Sequence, residues 1–277
     1  MTTPSITLNT GGSIPQLGLG TARVTDQEEI RRTVATALEV GYRHVDTAAK
    51  YENELGVGRG IADSGLPRTE VFVTTKLRGS QQGAETRQAL EQSLDRLGLD
   101  HVDLYLVHWP LPRIDRYVES WKIMEDLRDE GLTTAIGVSN FLPDHLDGLA
   151  AESSTVPAVN QIELHPREPQ QDQRDDDARR GIVTESWSPL AKGDLLAEPV
   201  LADIGRQYGK SPAQVVLRWH VQQGLVAIPK ASHVDRLRAN LDVFDFALTD
   251  DDLARIATLA TGERVNDEQD PRTWEEF

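Results

Sequence analysis

The chain has 277 residues, of which 38% are hydrophobic and 27% are charged, and its formal net charge is −16. This balance is typical of a folded globular protein, and the length lies near the roughly 250 residues of a (β/α)8 barrel. The acidic charge argues against nucleic acid or an anionic membrane surface as a partner.

The chain contains no cysteine, which excludes disulfides, thiolate nucleophiles and cysteine-ligated metals. Its N-terminal residues lack the charged and apolar regions of a signal peptide, and no apolar run approaches the roughly 18 residues of a membrane span. We therefore expect a soluble cytoplasmic protein.

A hairpin is predicted first, because two short β-like runs flank the turn sequence Asn9-Thr10-Gly11-Gly12. Short apolar runs then predict strands at 17–21, 43–46, 71–76, 102–108, 134–139, 157–163, 182–187 and 225–229. Helical patterns are found at 26–40, 53–64, 84–97, 116–130, 143–152, 172–180, 198–222 with a break near Gly209 to Pro212, and 234–241. This alternation favours an α/β fold with parallel strands, and a closed (β/α)8 TIM barrel leaves none of them as an edge. We predict one barrel domain over residues 1–277, with 263–277 as a polar C-terminal tail.

An open doubly wound sheet is the alternative fold. It usually carries a glycine-rich turn after its first strand, but the turn Gly18-Leu19-Gly20-Thr21-Ala22 lacks the third glycine. A second glycine-rich run, Gly56-Val57-Gly58-Arg59-Gly60, lies within a helical pattern and follows a loop. Neither run is therefore interpreted as a phosphate-binding turn.

Ionisable residues close three successive predicted strands. The strands end at Asp46, Lys76 and His108, and Tyr51 follows in the loop after Asp46. Because barrel active sites lie at the C-terminal strand ends, these side chains should converge. Carbonyl reduction needs an acid for the developing alkoxide, and a protonated Lys76 held by Asp46 would lower the pKa of Tyr51. The pattern predicts Tyr51 as proton donor and His108 as donor to the carbonyl oxygen.

Three other interpretations remain open at this point. A metal-dependent hydrolase would draw on His44, Asp46, His108 and His165, although the last strand ends without an acidic residue. A Schiff-base aldolase would use Lys76, which pairing with Asp46 disfavours because it keeps the amine protonated. A barrel that binds cofactor as a regulatory subunit is the third. We expect no metal site.

Longer segments of the chain resemble the aldo-keto reductase superfamily, in order and over essentially the whole length. They are GYRHVDTAAKYENELGVG, TTKL, VDLYLVHWP, IGVSNF, VNQIELHP, ESWSPL and IPKASHVDRLRANLDVFDF. The closest resemblance is to the bacterial 2,5-diketo-D-gluconic acid reductases, a branch with short loops. It implies NADPH-dependent reduction of a small-molecule carbonyl substrate by a monomer, with Asp46, Tyr51, Lys76 and His108 as the catalytic tetrad.

The resemblance also implies where the nicotinamide lies. Ser139, Asn140 and Gln161 are expected to hydrogen-bond its carboxamide, and Trp187 is expected to stack on its ring. From spacing alone, Ser139 and Asn140 are equally consistent with a helix cap. Ser188 and Leu190, which follow Trp187, complete this part of the expected cofactor site.

The far end of the cofactor should meet the segment after the last strand. Lys230 and Arg236 flank a predicted helix start, a favourable place for the 2′-phosphate of NADPH. Ser232 and Asn240 are expected to contribute as well. Ala231 stands where relatives usually carry Ser or Thr, so NADH is a weaker alternative cofactor.

The substrate pocket is expected to differ from that of the nearest relatives, and it should be lined by Ala22, Lys50, Arg78 and Trp109. Lys50 and Arg78 predict a more basic pocket that prefers anionic or hydroxylated carbonyl compounds, unless both side chains point to water. Whether Trp274 and Phe277 fold over this pocket is left open by the sequence.

Overall fold

The computed structural model describes residues 3–266 and 268–276. A two-stranded antiparallel hairpin precedes a parallel sheet whose strand order follows the chain order. The strands are β1 Ser5–Thr7, β2 Ser13–Pro15, β3 Leu19–Gly20, β4 His44–Asp46, β5 Phe72–Leu77, β6 Val102–Val107, β7 Thr133–Ser139, β8 Val159–Glu163, β9 Val183–Trp187 and β10 Val226–Ala227. The hairpin and the parallel strands, β3 to β10, were all predicted.

The sheet closes on itself between its first and last strands. Leu17 forms a parallel bridge with Ala227, and the Gly18 amide donates to the Ala227 carbonyl at 2.9 Å. A Cβ on Gly20 would lie 2.6 Å from the carbonyl oxygen of Ile228, so this close approach requires glycine. The closed barrel is thereby confirmed over the open doubly wound sheet.

Helices connect successive strands and cover the outside of the barrel. They are α1 Gln27–Val40, α2 Glu54–Asp63, α3 Thr86–Leu97, α4 Tyr117–Asp129, α5 Pro143–Glu152, α6 Gln171–Arg180, α7 Pro199–Tyr208, α8 Pro212–Gln222, α9 Val234–Leu241 and α10 Asp250–Ala257. Short 3-10 helices lie at Ala49–Tyr51, Arg68–Glu70, Gly79–Gln81 and Ala191–Ala197. Within the described residues, no helix combines the length and apolar character needed to cross a membrane.

Two sequence features are explained by helix packing and capping. The glycine-rich run lies inside α2, where a Cβ on Gly58 would stand 2.0 Å from the Leu97 carbonyl oxygen, so the absence of a side chain there permits close packing on α3.

Helix α10 was not predicted. Its start is marked by a capping box in which the Thr249 hydroxyl accepts from the Asp252 amide, a signal that apolar periodicity does not capture.

The hairpin closes the N-terminal end of the barrel. Leu8 and Ile14 are buried in one cluster with Leu104, Ala135 and Val159, which lie early in their strands or near their midpoints. Polar residues that end the strands are therefore gathered at the opposite, C-terminal end.

Candidate active site

The predicted tetrad meets at the C-terminal end of the barrel. Asp46 ends β4, Lys76 lies near the end of β5, His108 follows β6, and Tyr51 ends the 3-10 helix after β4. The Lys76 Nζ atom is 2.6 Å from Asp46 Oδ1 and 3.4 Å from the Tyr51 hydroxyl. The rings of Tyr51 and His108 meet edge to face with centroids 5.8 Å apart. The structure therefore brings all four side chains together.

The Lys76 ammonium is fully buried, and its three protons all have acceptors. It donates to Asp46, to the Thr47 carbonyl at 2.9 Å and to the Tyr51 hydroxyl. Burial lowers the pKa of Lys76, but the charges of Asp46 and Tyr51 and the hydrogen bond to Asp46 raise it more, so the net pKa is raised. Lys76 is held protonated. Its charge can therefore stabilise a Tyr51 phenolate, whereas a Schiff-base nucleophile would need the neutral amine.

The acidity of Tyr51 is set by two opposing effects. Burial raises the pKa of the Tyr51 phenol, and the charge of Lys76 lowers it. Lys76 acts in the predicted direction, but burial acts more strongly, so the net pKa lies above its ordinary value. Tyr51 therefore keeps its proton at neutral pH, as a proton donor must before it reacts.

A second buried carboxyl lies beneath the tetrad and was missed by sequence reasoning. The Gln161 side-chain amide donates to Asp46 Oδ2 at 2.8 Å and to Glu185 Oε2 at 2.9 Å. Burial, together with the charge of Asp46, raises the pKa of Glu185 to about 8. Glu185 stands two positions before Trp187 in β9, so the period-two alternation of a strand would have placed both on one face.

The candidate metal ligands do not assemble. The His44 ring is buried with Nε2 at 3.2 Å from the Thr74 hydroxyl oxygen, and His165 contacts Glu163 at 3.1 Å elsewhere. In the part of the chain that the structure describes, no group of three or more His, Cys, Asp or Glu side chains is arranged to hold a metal ion.

The residues expected around the nicotinamide form one hydrogen-bonded group. Ser139 Oγ donates to the Gln161 carbonyl at 2.8 Å, and Asn140 Nδ2 donates to Ser139 Oγ at 3.0 Å and to the His108 carbonyl at 3.1 Å. The Trp187 indole donates to Asn140 Oδ1 at 2.9 Å. Helix α5 begins at Pro143 after Leu142, so Ser139 and Asn140 do not cap it. The helix-cap interpretation is wrong.

The segment expected to bind the phosphate lies open at the surface. Lys230, Ser232 and Arg236 are exposed, and within residues 3–266 and 268–276 neither Lys230 nor Arg236 forms an ion pair. His233 precedes α9 and makes no capping hydrogen bond with its side chain. Two cations and the first amides of α9 are thus available to an anion.

Three other residues were expected at the cofactor site, and they differ from Lys230, Ser232 and Arg236 in their exposure or position. Asn240 is buried at the end of α9, near Tyr42, whose hydroxyl donates to the Leu237 carbonyl at 3.3 Å. Ser188 follows β9 in a left-handed conformation, with φ of 50°. Leu190 is partly buried against the apolar cluster around α7 and α8. Ser188 and Leu190 remain at the C-terminal end of the barrel, whereas Asn240 faces inward.

The substrate side of the site is covered by the C-terminal tail. Trp109 is buried, and its ring centroid lies 6.2 Å from that of Trp274. Glu276 reaches His108, with Oε1 at 2.9 Å from Nδ1. The described end of the tail therefore folds over the pocket, while Phe277 lies outside the described residues.

The remaining predicted pocket residues are Ala22, Lys50 and Arg78. Ala22 and Lys50 are half-buried, and Arg78 lies 3.5 Å from the Glu52 carboxylate. No sequence signal separates Glu276 from the neighbouring acidic residue Glu275, because its position depends on contacts distant in the chain.

Comparison with known proteins agrees with this geometry. The sequence model of the Aldo/keto reductase family matches residues 16–261. The chain belongs to this family. An aldo-keto reductase of Mycolicibacterium smegmatis is 53% identical over 272 residues, which cover 98% of each chain.

Solved structures of other proteins share the whole fold. The silkworm Bombyx mori aldo-keto reductase, in complex with NADP, has a TM-score of 0.92 at 35% identity, covering 100% of this chain and 99% of that one. A mutant of Gox0644, in complex with NADPH, has a TM-score of 0.93 at 41% identity and covers 99% of both. The predicted barrel and the oxidoreductase class are confirmed.

Proposed function

We propose that the protein reduces aldehydes or ketones to alcohols with NADPH, and that Tyr51 donates the proton. The observation that carries this proposal is the position of the buried Lys76 ammonium, which donates to both Asp46 and the Tyr51 hydroxyl. His108 lies beside the same hydroxyl-bearing ring. A proton donor, a charge that stabilises its anion and a group that orients the substrate are thus adjacent.

The donor groups on the same end of the barrel fit NADPH. The exposed Lys230 and Arg236 beside the open start of α9 suit its 2′-phosphate, and the half-buried Trp187 offers an aromatic face beside Asn140. When bound, NADPH supplies the hydride. Ala231 provides no hydroxyl at this position, which supports NADH as a weaker alternative.

The side chains of the site supply the proton and stabilise the group that loses it. As the carbonyl oxygen gains negative charge, the Tyr51 hydroxyl transfers its proton to that oxygen and becomes a phenolate. Lys76 stabilises the phenolate through its charge, and Asp46 holds Lys76 in place. His108 donates to the carbonyl oxygen and so aligns it with Tyr51. Water returns the proton to Tyr51 after the alcohol leaves.

We further propose an anionic carbonyl compound as the preferred substrate, in line with the resemblance to the 2,5-diketo-D-gluconic acid reductases. Lys50 and Arg78 support this, because both lie near the covered mouth of the site. Replacing each with alanine should lower kcat/KM for a keto acid. Unchanged kcat/KM for both variants would reject the preference for anions.

The reductase proposal is tested with a kinetic panel. NADPH and NADH are each combined with 2,5-diketogluconate, methylglyoxal, a nitrobenzaldehyde and a keto ester, and cofactor oxidation is followed. We expect turnover with NADPH and less with NADH. Binding of NADPH without oxidation by any carbonyl would instead support a regulatory barrel.

The role of Tyr51 is tested by Tyr51→Phe. The variant should keep its affinity for NADPH and lose turnover by about 10²- to 10⁴-fold, the usual contribution of a general acid. Turnover near the unsubstituted rate would show that another group donates the proton.

A further inference from the structure

A carboxylate of the chain itself lies in the active site. Glu276 belongs to an acidic polar tail, yet it is only 4% exposed. Its Oε2 atom accepts a hydrogen bond from the Gly79 amide at 2.8 Å, and Oε1 lies 2.9 Å from His108 Nδ1 without the alignment of a hydrogen bond. Burying a carboxylate is costly unless partners compensate, so this position is built to accept one.

The surroundings of this carboxylate favour its charged form. Burial raises the pKa of Glu276, but the charge of His108, the Gly79 amide and the charge of Lys50 lower it more, so the net pKa is lowered. An imidazole, a backbone N–H group and an ammonium are the groups that proteins use to bind carboxylates. The position therefore recognises an anion.

The backbone at Gly79 is also adapted to the tail. A Cβ at Gly79 would lie 2.5 Å from the Glu276 carbonyl oxygen and 2.7 Å from Leu111 Cδ1. The other end of the tail is fastened as well, because the Val265 amide donates to Glu163 and the Val265 carbonyl accepts from Lys192 at 2.8 Å. The tail thus spans the mouth of the barrel between two anchors.

We propose that the Gly79 amide and His108 form a carboxylate subsite, which Glu276 occupies until a carboxylate-bearing carbonyl substrate displaces it. This inference rests on the proposed reductase function and narrows its substrate class. Because His108 also faces Tyr51, the carboxylate and the reacting carbonyl of the substrate lie close together, as in a small keto acid. Glu276 is then an internal competitor of the substrate.

Binding is tested without turnover, using succinate as the probe. Succinate is titrated into the protein and its affinity is read from tryptophan fluorescence, since Trp109 and Trp274 lie at the mouth of the site. Glu276→Gln and Glu276→Ala should bind succinate about tenfold more tightly, as expected when a competing occupant held in most molecules is removed.

Glu275→Gln is the matched control. Glu275 lies on the same tail, and its carboxylate accepts from the Arg113 amide at 2.7 Å, so this variant removes an equal negative charge from the tail away from His108. It should bind succinate like the unsubstituted protein. Equal affinities in all four proteins, or an equal gain in the Glu275 variant, would overturn the subsite.

Turnover is tested with benzoylformate and its neutral analogue ethyl benzoylformate. In Glu276→Gln, the ratio of kcat/KM for the acid to kcat/KM for the ester should rise about tenfold, because the acid no longer has to displace a carboxylate. An unchanged or lower ratio would overturn the proposal. If succinate binds as expected but neither compound is reduced, the reductase function fails while the subsite stands.

Discussion

The two charged regions of the site are built in opposite ways. The floor, formed by Asp46, Lys76, Gln161 and Glu185, is buried, and its side chains hydrogen-bond directly to one another. The rim, formed by the proposed cofactor residues Lys230, Ser232 and Arg236, is exposed. Charges in the floor are therefore fixed by the fold, whereas charges in the rim are kept for a ligand.

Because of this difference, substitutions in the two regions should have different effects. A change in the floor leaves a buried partner unsatisfied, so it should affect both folding and turnover. A change in the rim removes a solvated charge, so it should affect cofactor binding and little else. Substitutions in each region test this division.

Lys76→Met should have the largest effect. It removes the charge that stabilises the Tyr51 phenolate and leaves Asp46 buried without its partner. We expect turnover to fall about 10³-fold and the free energy of unfolding to fall by about 3 to 5 kcal/mol. Steady-state kinetics and urea unfolding measure the two losses.

The double variant Asp46→Asn with Lys76→Met is the control for that test. Neutralising Asp46 should recover part of the lost stability and none of the lost turnover. If Lys76→Met lowered turnover without lowering stability, the buried contacts of the floor would support turnover but not folding.

Glu185→Gln should change how stability depends on pH. Burial raises the pKa of Glu185 from its ordinary 4.5 to about 8, so between these values the folded protein holds a proton that the unfolded chain has lost. This group's contribution to the free energy of unfolding therefore falls as pH rises through that range. Glutamine cannot ionise, and the variant should gain up to about 3 kcal/mol relative to the unsubstituted protein between pH 5 and pH 8.

Urea unfolding at both pH values measures this gain. Glu28→Gln, a substitution on the surface of α1, serves as the matched control and should show no such pH dependence. A constant difference between Glu185→Gln and the unsubstituted protein at both pH values would mean that Glu185 is ionised throughout.

Lys230→Ala and Arg236→Ala test the rim. Each should weaken NADPH binding about tenfold, the equivalent of about 1.4 kcal/mol, through loss of one charge-assisted contact with the 2′-phosphate. NADH lacks this phosphate and should bind nearly as before, and the melting temperature should not change. Equal losses of affinity for NADPH and NADH would mean that the two cations contact a part of the cofactor other than the 2′-phosphate.

Ala231→Ser should have the smallest effect. One additional hydroxyl donor contributes about 1 kcal/mol, so the preference for NADPH over NADH should rise about fivefold. Ser232→Ala, at the adjacent exposed position, should move the preference the other way. Measured ratios of Kd for the two cofactors decide the result, and a lower preference in Ala231→Ser would show that the buried hydroxyl finds no partner.

Local patterns predicted most of the fold because the barrel repeats a simple unit. The runs ending at Asp46, Lys76 and His108 are buried strands flanked by amphipathic helices, so alternation and the strand ends alone brought the tetrad together. The proposed cofactor roles of Asn140 and Trp187 needed the family resemblance, because the spacing of these residues was equally consistent with other roles.

The features that escaped prediction depend on contacts distant in the chain. Helix α10 is short and acidic, and its capping box is a weaker signal than apolar periodicity. A glutamate is charged in most settings, and the burial of Glu185 follows from closing the barrel around Gln161. The place of Glu276 is set by Gly79 and His108, which no local pattern in the tail encodes.

The covered mouth has a practical consequence for handling the protein. Because Glu276 is buried against His108, any change to this part of the tail acts directly at the candidate active site. The hairpin of β1 and β2 lies at the opposite end of the barrel. A peptide fused beside the hairpin leaves these contacts unaltered, whereas one fused beside Glu276 alters the contacts that a kinetic measurement is meant to report.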